Sequence, residues 1–156
     1  MKRVGVIGDT HGDMRAMRAM AAKMSAVDAF IHLGDYARDS EALREMTDVT
    51  VYAVRGNNDL ASRLPDELTL TMGAVRVLVT HGHLQSVKRT LTPLAAHARA
   101  IDAQVALFGH THVPQVIWVE GILLINPGAC RSYGGKARAA VLEKRDGQIV
   151  PFIIKV

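Results

Sequence analysis

Three short apolar runs early in the chain, VGVIG (4–8), DAFIHLG (28–34) and VTVYAVRG (49–56), are β-branched, nearly continuous and bounded by Gly, Asp or Asn. Runs of this kind are strands buried on both faces, the situation of a sheet covered by helices. Between the first two, MRAMRAMAAKM repeats Met and Ala at helical spacing. Between the next two, DSEALREM starts with Asp39 or Ser40 as N-cap and carries acidic residues in its first turn. The start therefore reads βαβαβ. Further on, ELTLTMGAVRVLVTHG predicts a hairpin around MGA, TPLAAHARAI a helix, and QVALFG another strand. The remainder is strands alone, with QVIWVEGILLINPG turning at Glu120-Gly121 and ARAAVLEKRDGQIVPFIIKV at Asp146-Gly147. The expected fold is α/β: a layered β-sandwich flanked by helices, formed as one domain over residues 1–156.

Composition narrows the function classes. An apolar share of 49% with 22% charged residues is that of a globular protein, and no apolar run approaches the ~18 residues of a membrane span. The N-terminus MKRVGVIGD has no separate apolar leader region, and Cys130 has no second cysteine to pair with, so a cytoplasmic location is expected. No base neighbours Cys130 in NPGACRSYGG, which argues against a catalytic thiol. The net charge of +4 favours anionic partners. The basic residues are nevertheless scattered and aromatics make up only 4%, so a small anionic substrate is the expected partner and a nucleic acid larger than a nucleotide is not.

The informative residues sit where the strands end. Asp9-Thr10-His11-Gly12-Asp13 follows the first, Gly34-Asp35 the second, and Gly56-Asn57-Asn58-Asp59 the third; His81-Gly82-His83 and His110-Thr111-His112 follow two later ones. In open α/β sheets the ligand crevice lies outside the carboxyl ends of the strands, so these loops should meet at one mouth. Each cluster alone has an ordinary reading as a turn, and His32 and His97 keep theirs. Together, five of the seven histidines stand at strand ends beside an Asp or another His. Carboxylate, imidazole and amide donors without thiolate suit Mn²⁺, Fe²⁺, Ni²⁺ or Zn²⁺. Asp9, His11, Asp35, Asn57, His81, His110 and His112 are too many for one ion, but would fill two adjacent sites sharing a carboxylate, the arrangement of two-metal hydrolysis.

The ordered set DTH, GD, GNND, THGH and GHTH resembles the signature of the calcineurin-like metallophosphoesterases, and in particular the small YfcE-type phosphodiesterases. The resemblance runs from Asp9 to His112, and NPGA (126–129) is similar to a further stretch of the small members. It implies a β-sandwich with a dinuclear centre at one edge. Asp9, His11 and His112 would hold one ion, Asn57, His81 and His110 the other, and Asp35 would bridge them. The cofactors would be two divalent ions, Mn²⁺ first among Ni²⁺, Fe²⁺, Zn²⁺ and Mg²⁺. A hydroxide bridging them would attack a phosphodiester. The same centre could serve a phosphomonoesterase or nucleotide pyrophosphatase, and the retromer scaffold subunit shows that the fold also serves protein interaction.

Asn57, Asn58, Asp59 and His83 form the expected catalytic surroundings. Asp59 would either orient a ligating histidine or serve as a turn carboxylate, and His83 would either stand at the rim, where it could contact substrate or donate a proton, or serve its loop alone. Many larger relatives have His where this chain has Asn58, and an amide cannot act as a general acid, so esters with weakly basic leaving groups should react best. Arg38 and Arg55 lie close enough to the motifs to meet a phosphate, although solvated surface charge is the commoner fate of an arginine. The motifs specify neither the substrate's organic part nor the native metal, and assembly as a homo-oligomer is left open.

Overall fold

In the computed structural model, which describes residues 1–156, the βαβαβ start is β1 (Arg3–Ile7), α1 (Met14–Lys23), β2 (Ala29–His32), α2 (Asp39–Glu45) and β3 (Thr50–Ala53). The hairpin β4 (Glu67–Met72) and β5 (Val75–Thr80) follows, then a short 3-10 turn (His83–Gln85), α3 (Thr92–Ala100) and β6 (Val105–Leu107). The all-strand end comprises β7 (Gln115–Val119), β8 (Ile122–Asn126), β9 (Arg138–Arg145) and β10 (Gln148–Lys155). Both of its hairpins turn where Glu120-Gly121 and Asp146-Gly147 predict. All four residues have positive φ, the backbone that matches the twist of paired strands.

Two five-stranded sheets result, in the orders β10-β9-β1-β2-β3 and β4-β5-β6-β8-β7. The strands β1, β2 and β3 are mutually parallel, as are β5, β6 and β8; antiparallel strands flank each set. The sheets pack face to face through Val4, Val6, Leu33, Val79, Leu107 and Ile125, all buried. The outer face of the first sheet is closed by α1 and α2 through Met17, Met20, Phe30 and Leu43. Helix α3 closes the second through Leu94, Ala95 and Ala98 against Phe108. The methionines of α1 are thus core filler, and the layered sandwich is as expected.

One expectation about α2 fails. Its N-cap is Arg38, which makes no side-chain cap; Asp39 and Ser40 lie within the helix. The buried Asp39 carboxylate accepts instead from Thr10 Oγ1 at 2.7 Å and from the Gly12 amide at 2.9 Å, which holds the loop after β1 against α2. A buried carboxylate needs more than one donor, and the β1 loop supplies two. His32 behaves as a structural histidine. Its Nδ1 accepts from the Gly34 amide, its Nε2 meets Thr10 Oγ1, and burial lowers its pKa to about 4.

Candidate metal centre

The loops after β1, β2, β3, β5 and β6 meet at one edge of the sandwich, stitched backbone to backbone. The Asp9 amide donates to Gly34 O at 3.1 Å and the Gly109 amide to His81 O at 3.0 Å. The turns are tight. Of the ten non-glycine residues with positive φ, six are Asp9, His11, Asp35, Tyr36, His110 and His112. Left-handed backbone costs about 1 kcal/mol or more at each such residue and gathers where function needs a side chain re-aimed. Two glycines let the carboxylates in: a Cβ on Gly56 would lie 2.2 Å from Asp35 Oδ1, and one on Gly109 2.8 Å from Asp9 Oδ2.

Two groups of side chains result. Asp9, His11, Asp35 and His112 bring one donor atom each within 4.8 Å of one another, and so do Asp35, His81 and His110. His112 Nε2 lies 3.4 Å from Asp9 Oδ1, and His81 Nε2 lies 3.4 Å from Asp35 Oδ1. Asn57 Oδ1 is 3.1 Å from His81 Nε2, which places the amide oxygen with the second group. All seven candidate ligands therefore converge, with Asp35 in both groups and His110 and His112 in different ones.

The surroundings suit a cation. Asp9 Oδ2 accepts from the His110 amide, while Oδ1, fully buried, has no hydrogen-bond partner. Such an orphaned carboxylate oxygen requires a positive neighbour. His81 Nδ1 donates to Leu33 O at 2.7 Å, which leaves Nε2 to face the carboxylates. Burial opposes protonation of His81, but the Asp35 hydrogen bond and the charges of Asp9 and Asp35 outweigh it and raise its pKa. The carboxylates draw positive charge to this point. Burial also opposes ionisation of Asp35, yet His81 and the Asn58 amide hold its carboxyl well below the usual range. Desolvation lowers His11, and takes His110 to about 4, so both are neutral and able to ligate at pH 7. The donor set fits divalent cations.

The other expected residues fall close by. Asn58 donates from Nδ2 to Asp35 Oδ2 at 2.9 Å and from its backbone to Oδ1 at 3.1 Å, so it clamps the shared carboxylate. Asp59 meets no histidine. Its two oxygens accept from the Ala37 and Gly56 amides, which ties the β2 and β3 loops together, because two unpaired loop amides reach it first. The His83 ring centre lies 5.4 Å from that of His81; burial lowers its pKa, and its Nδ1 is unpartnered. Arg38 reaches the Tyr36 ring at 4.9 Å and lines a cavity of about 940 Å³ together with His11, Asn58, Leu60 and Arg63. Arg55 is paired with Asp66 at 2.7 Å.

A family model for the calcineurin-like phosphoesterase superfamily domain matches residues 1–147. The chain belongs to that superfamily. It is 40% identical over 128 residues to the probable metallophosphoesterase YsnB of Bacillus subtilis, which covers 81% of this chain and 73% of that one. To the phosphodiesterase MJ0936 of Methanocaldococcus jannaschii it is 26% identical over 149 residues, 84% of this chain and 86% of the other. Its fold matches the crystal structure of a single mutant of Vps29 from Entamoeba histolytica with a TM-score of 0.78 at 20% identity, over 99% of each chain. Family membership and the ligand groups together indicate divalent metal ions.

Two features of the site escape the motif reading. Asn126, at the end of β8, donates to Gly109 O and Thr111 Oγ1 at 3.0 Å each and accepts from the Gly128 amide. It braces the loop bearing His110 and His112, which explains Thr111; NPGA was the available signal. Arg131 donates to His112 Nδ1 at 3.1 Å, with nothing in its surroundings to announce it. Cys130 is buried with its pKa pushed up to about 12, so it is a core residue and not a nucleophile.

Proposed function

We propose that this protein is a metal-dependent phosphodiesterase working at a dinuclear centre, with Mn²⁺ the first candidate. The observation that carries the reading is Asp35: one buried carboxylate belongs to both ligand groups, each completed by imidazoles from separate strands. On this reading Asp9, His11 and His112 would hold one ion and Asn57, His81 and His110 the other, with Asp35 shared between them. Two divalent cations held there would supply an activated water at neutral pH and would offset the charge that builds up on the phosphoryl oxygens. The chain does the positioning. Leu33 O fixes His81 in the tautomer that ligates through Nε2, Asn58 holds both oxygens of Asp35, and Asn126 holds the His110–His112 loop in register. The substrate's organic part enters the cavity beside His11, between Tyr36 and Leu60.

Protonation of the leaving group is where the site is weak. Asn58 has no titratable proton, and His83 is held neutral at pH 7 by burial. Leaving oxygens must therefore depart as anions, which favours aryl over alkyl esters. The likeness to the archaeal phosphodiesterase supports diester cleavage; monoesters and anhydrides would meet the same ligands. A scaffold role, which the Vps29 likeness raises at the level of fold, needs none of these seven side chains to converge.

The test combines metal analysis and hydrolysis of bis(p-nitrophenyl) phosphate in folded wild type, Asp35→Ala and His110→Ala. Both variants are expected to lose bound Mn²⁺ and hydrolysis together. Unchanged metal content and unchanged hydrolysis would refute the assignment.

A further inference from the structure

His112, which does not line the larger cavity, borders a smaller one of about 200 Å³. Three cations line it, Arg131, Lys136 and Arg138, and no acidic residue does. Elsewhere the arginines beside acids are paired with them: Arg3 with Glu143, Arg55 with Asp66, Arg99 with Glu120. Arg131, Lys136 and Arg138 form no ion pair at all; three like charges round one concavity repel each other and attract an anion. The segment that carries them is built. Ser132 donates from its amide and hydroxyl to Asp13 Oδ2 at 2.8 and 2.6 Å, and Asp13 also caps α1; at the far end the Arg138 amide donates to Ala129 O. Between these ties Gly134 and Gly135 have positive φ, and nothing lies within 4 Å of a Cβ on either, so the rim stays open for a ligand to enter. The larger cavity differs, because Glu41 and Asp59 line it along with Arg38 and Arg63.

We propose that Arg131, Lys136 and Arg138 form an anion subsite that binds a second phosphate of the substrate, one the enzyme does not cleave. This rests on the phosphodiesterase reading and narrows its substrate class to phosphodiesters bearing a further phosphate, as nucleotides do. Arg131 already engages His112 and so links the subsite to the metal-binding loop, while Lys136 and Arg138 are free to take the anion.

Two arms test it. In chelator-treated protein, where side chains alone can bind, calorimetry with pyrophosphate as the probe should show binding that Lys136→Ala and Arg138→Gln each weaken about tenfold. The charge control Lys2→Ala, at the other end of β1, should weaken it less than about twofold. Lys136 is exposed, so its variant keeps the test valid if Arg138→Gln folds poorly. In Mn²⁺-loaded enzyme, thymidine 5′-(p-nitrophenyl phosphate) with a 3′-phosphate should have a KM about tenfold below that of the same ester without it, and Lys136→Ala should erase the difference. No pyrophosphate binding, or weakening no greater than in the control, overturns the subsite. Pyrophosphate binding without a KM advantage assigns the cavity to free phosphate and overturns the substrate-borne second phosphate. Hydrolysis of bis(p-nitrophenyl) phosphate separately reports whether the metal reading stands.

Discussion

Asp35 is the residue on which the site turns, because its two oxygens serve both ligand groups while Asn58 grips each from outside. Changing Asp35 to Asn keeps the shape and removes the charge. Metal content should fall towards none, and hydrolysis roughly 100-fold or more, the upper range for disturbing even an outer-shell partner of a metal ligand. Asn58→His addresses a different question. If leaving-group protonation limits the wild type, the imidazole should raise rates on alkyl esters and leave nitrophenyl esters nearly unchanged, as steady-state kinetics on a matched pair would show. Equal changes on both esters would mean that Asn58 matters only as the clamp on Asp35. The seven candidate ligands that converge at this edge were legible in the sequence because donor-bearing side chains cluster after strands. The contacts of Asp59 and Arg131 were not, because they depend on how left-handed loop residues aim their neighbours, which no periodicity encodes.

At the level of elements, the decisive fact is that strands from both sheets end at the same edge. Asp9 follows β1 in one sheet and His110 follows β6 in the other, yet the His110 amide donates to Asp9 Oδ2 at 3.0 Å. Two changes away from the ligands test whether the loops are preset. Asn126→Ala removes both donors to the His110–His112 loop and should weaken Mn²⁺ binding about 10- to 100-fold, read by metal titration, with the sheets intact by circular dichroism. Gly56→Ala would drive a methyl into Asp35 Oδ1, so metal binding should be lost although no ligand is altered. Strand and helix positions followed from period and turn chemistry, including the hairpins that turn at Glu120-Gly121 and Asp146-Gly147. The N-cap of α2 did not, because the buried β1 loop draws the Asp39 carboxylate away from its own helix.

Across the whole molecule, we propose that residues 1–156 unfold as one unit, since the two sheets share a single continuous interior. Its stability should depend on pH through His32. The folded-state pKa of about 4 lies below the ordinary value of 6.5, so the unfolded chain binds more protons between these values and stability falls as pH drops through that window. In metal-free protein, urea denaturation at pH 7 and pH 5 should show wild type losing about 2 kcal/mol more than His32→Asn. The substituted amide oxygen keeps an acceptor for the Gly34 amide. His81, with its raised pKa, acts in the opposite sense: its contribution is present below 6.5 and is lost as pH rises. Comparing the two proteins cancels it.

We propose that one edge of this sandwich holds two ions that share Asp35, with the histidines of GHTH divided between them. Anomalous diffraction from crystals grown with Mn²⁺ measures this directly. The prediction is two peaks about 3.5 to 4 Å apart, one against Asp9, His11 and His112, the other against Asn57, His81 and His110, with Asp35 between them. A single peak held by both His110 and His112, or no peak at this edge, would contradict it.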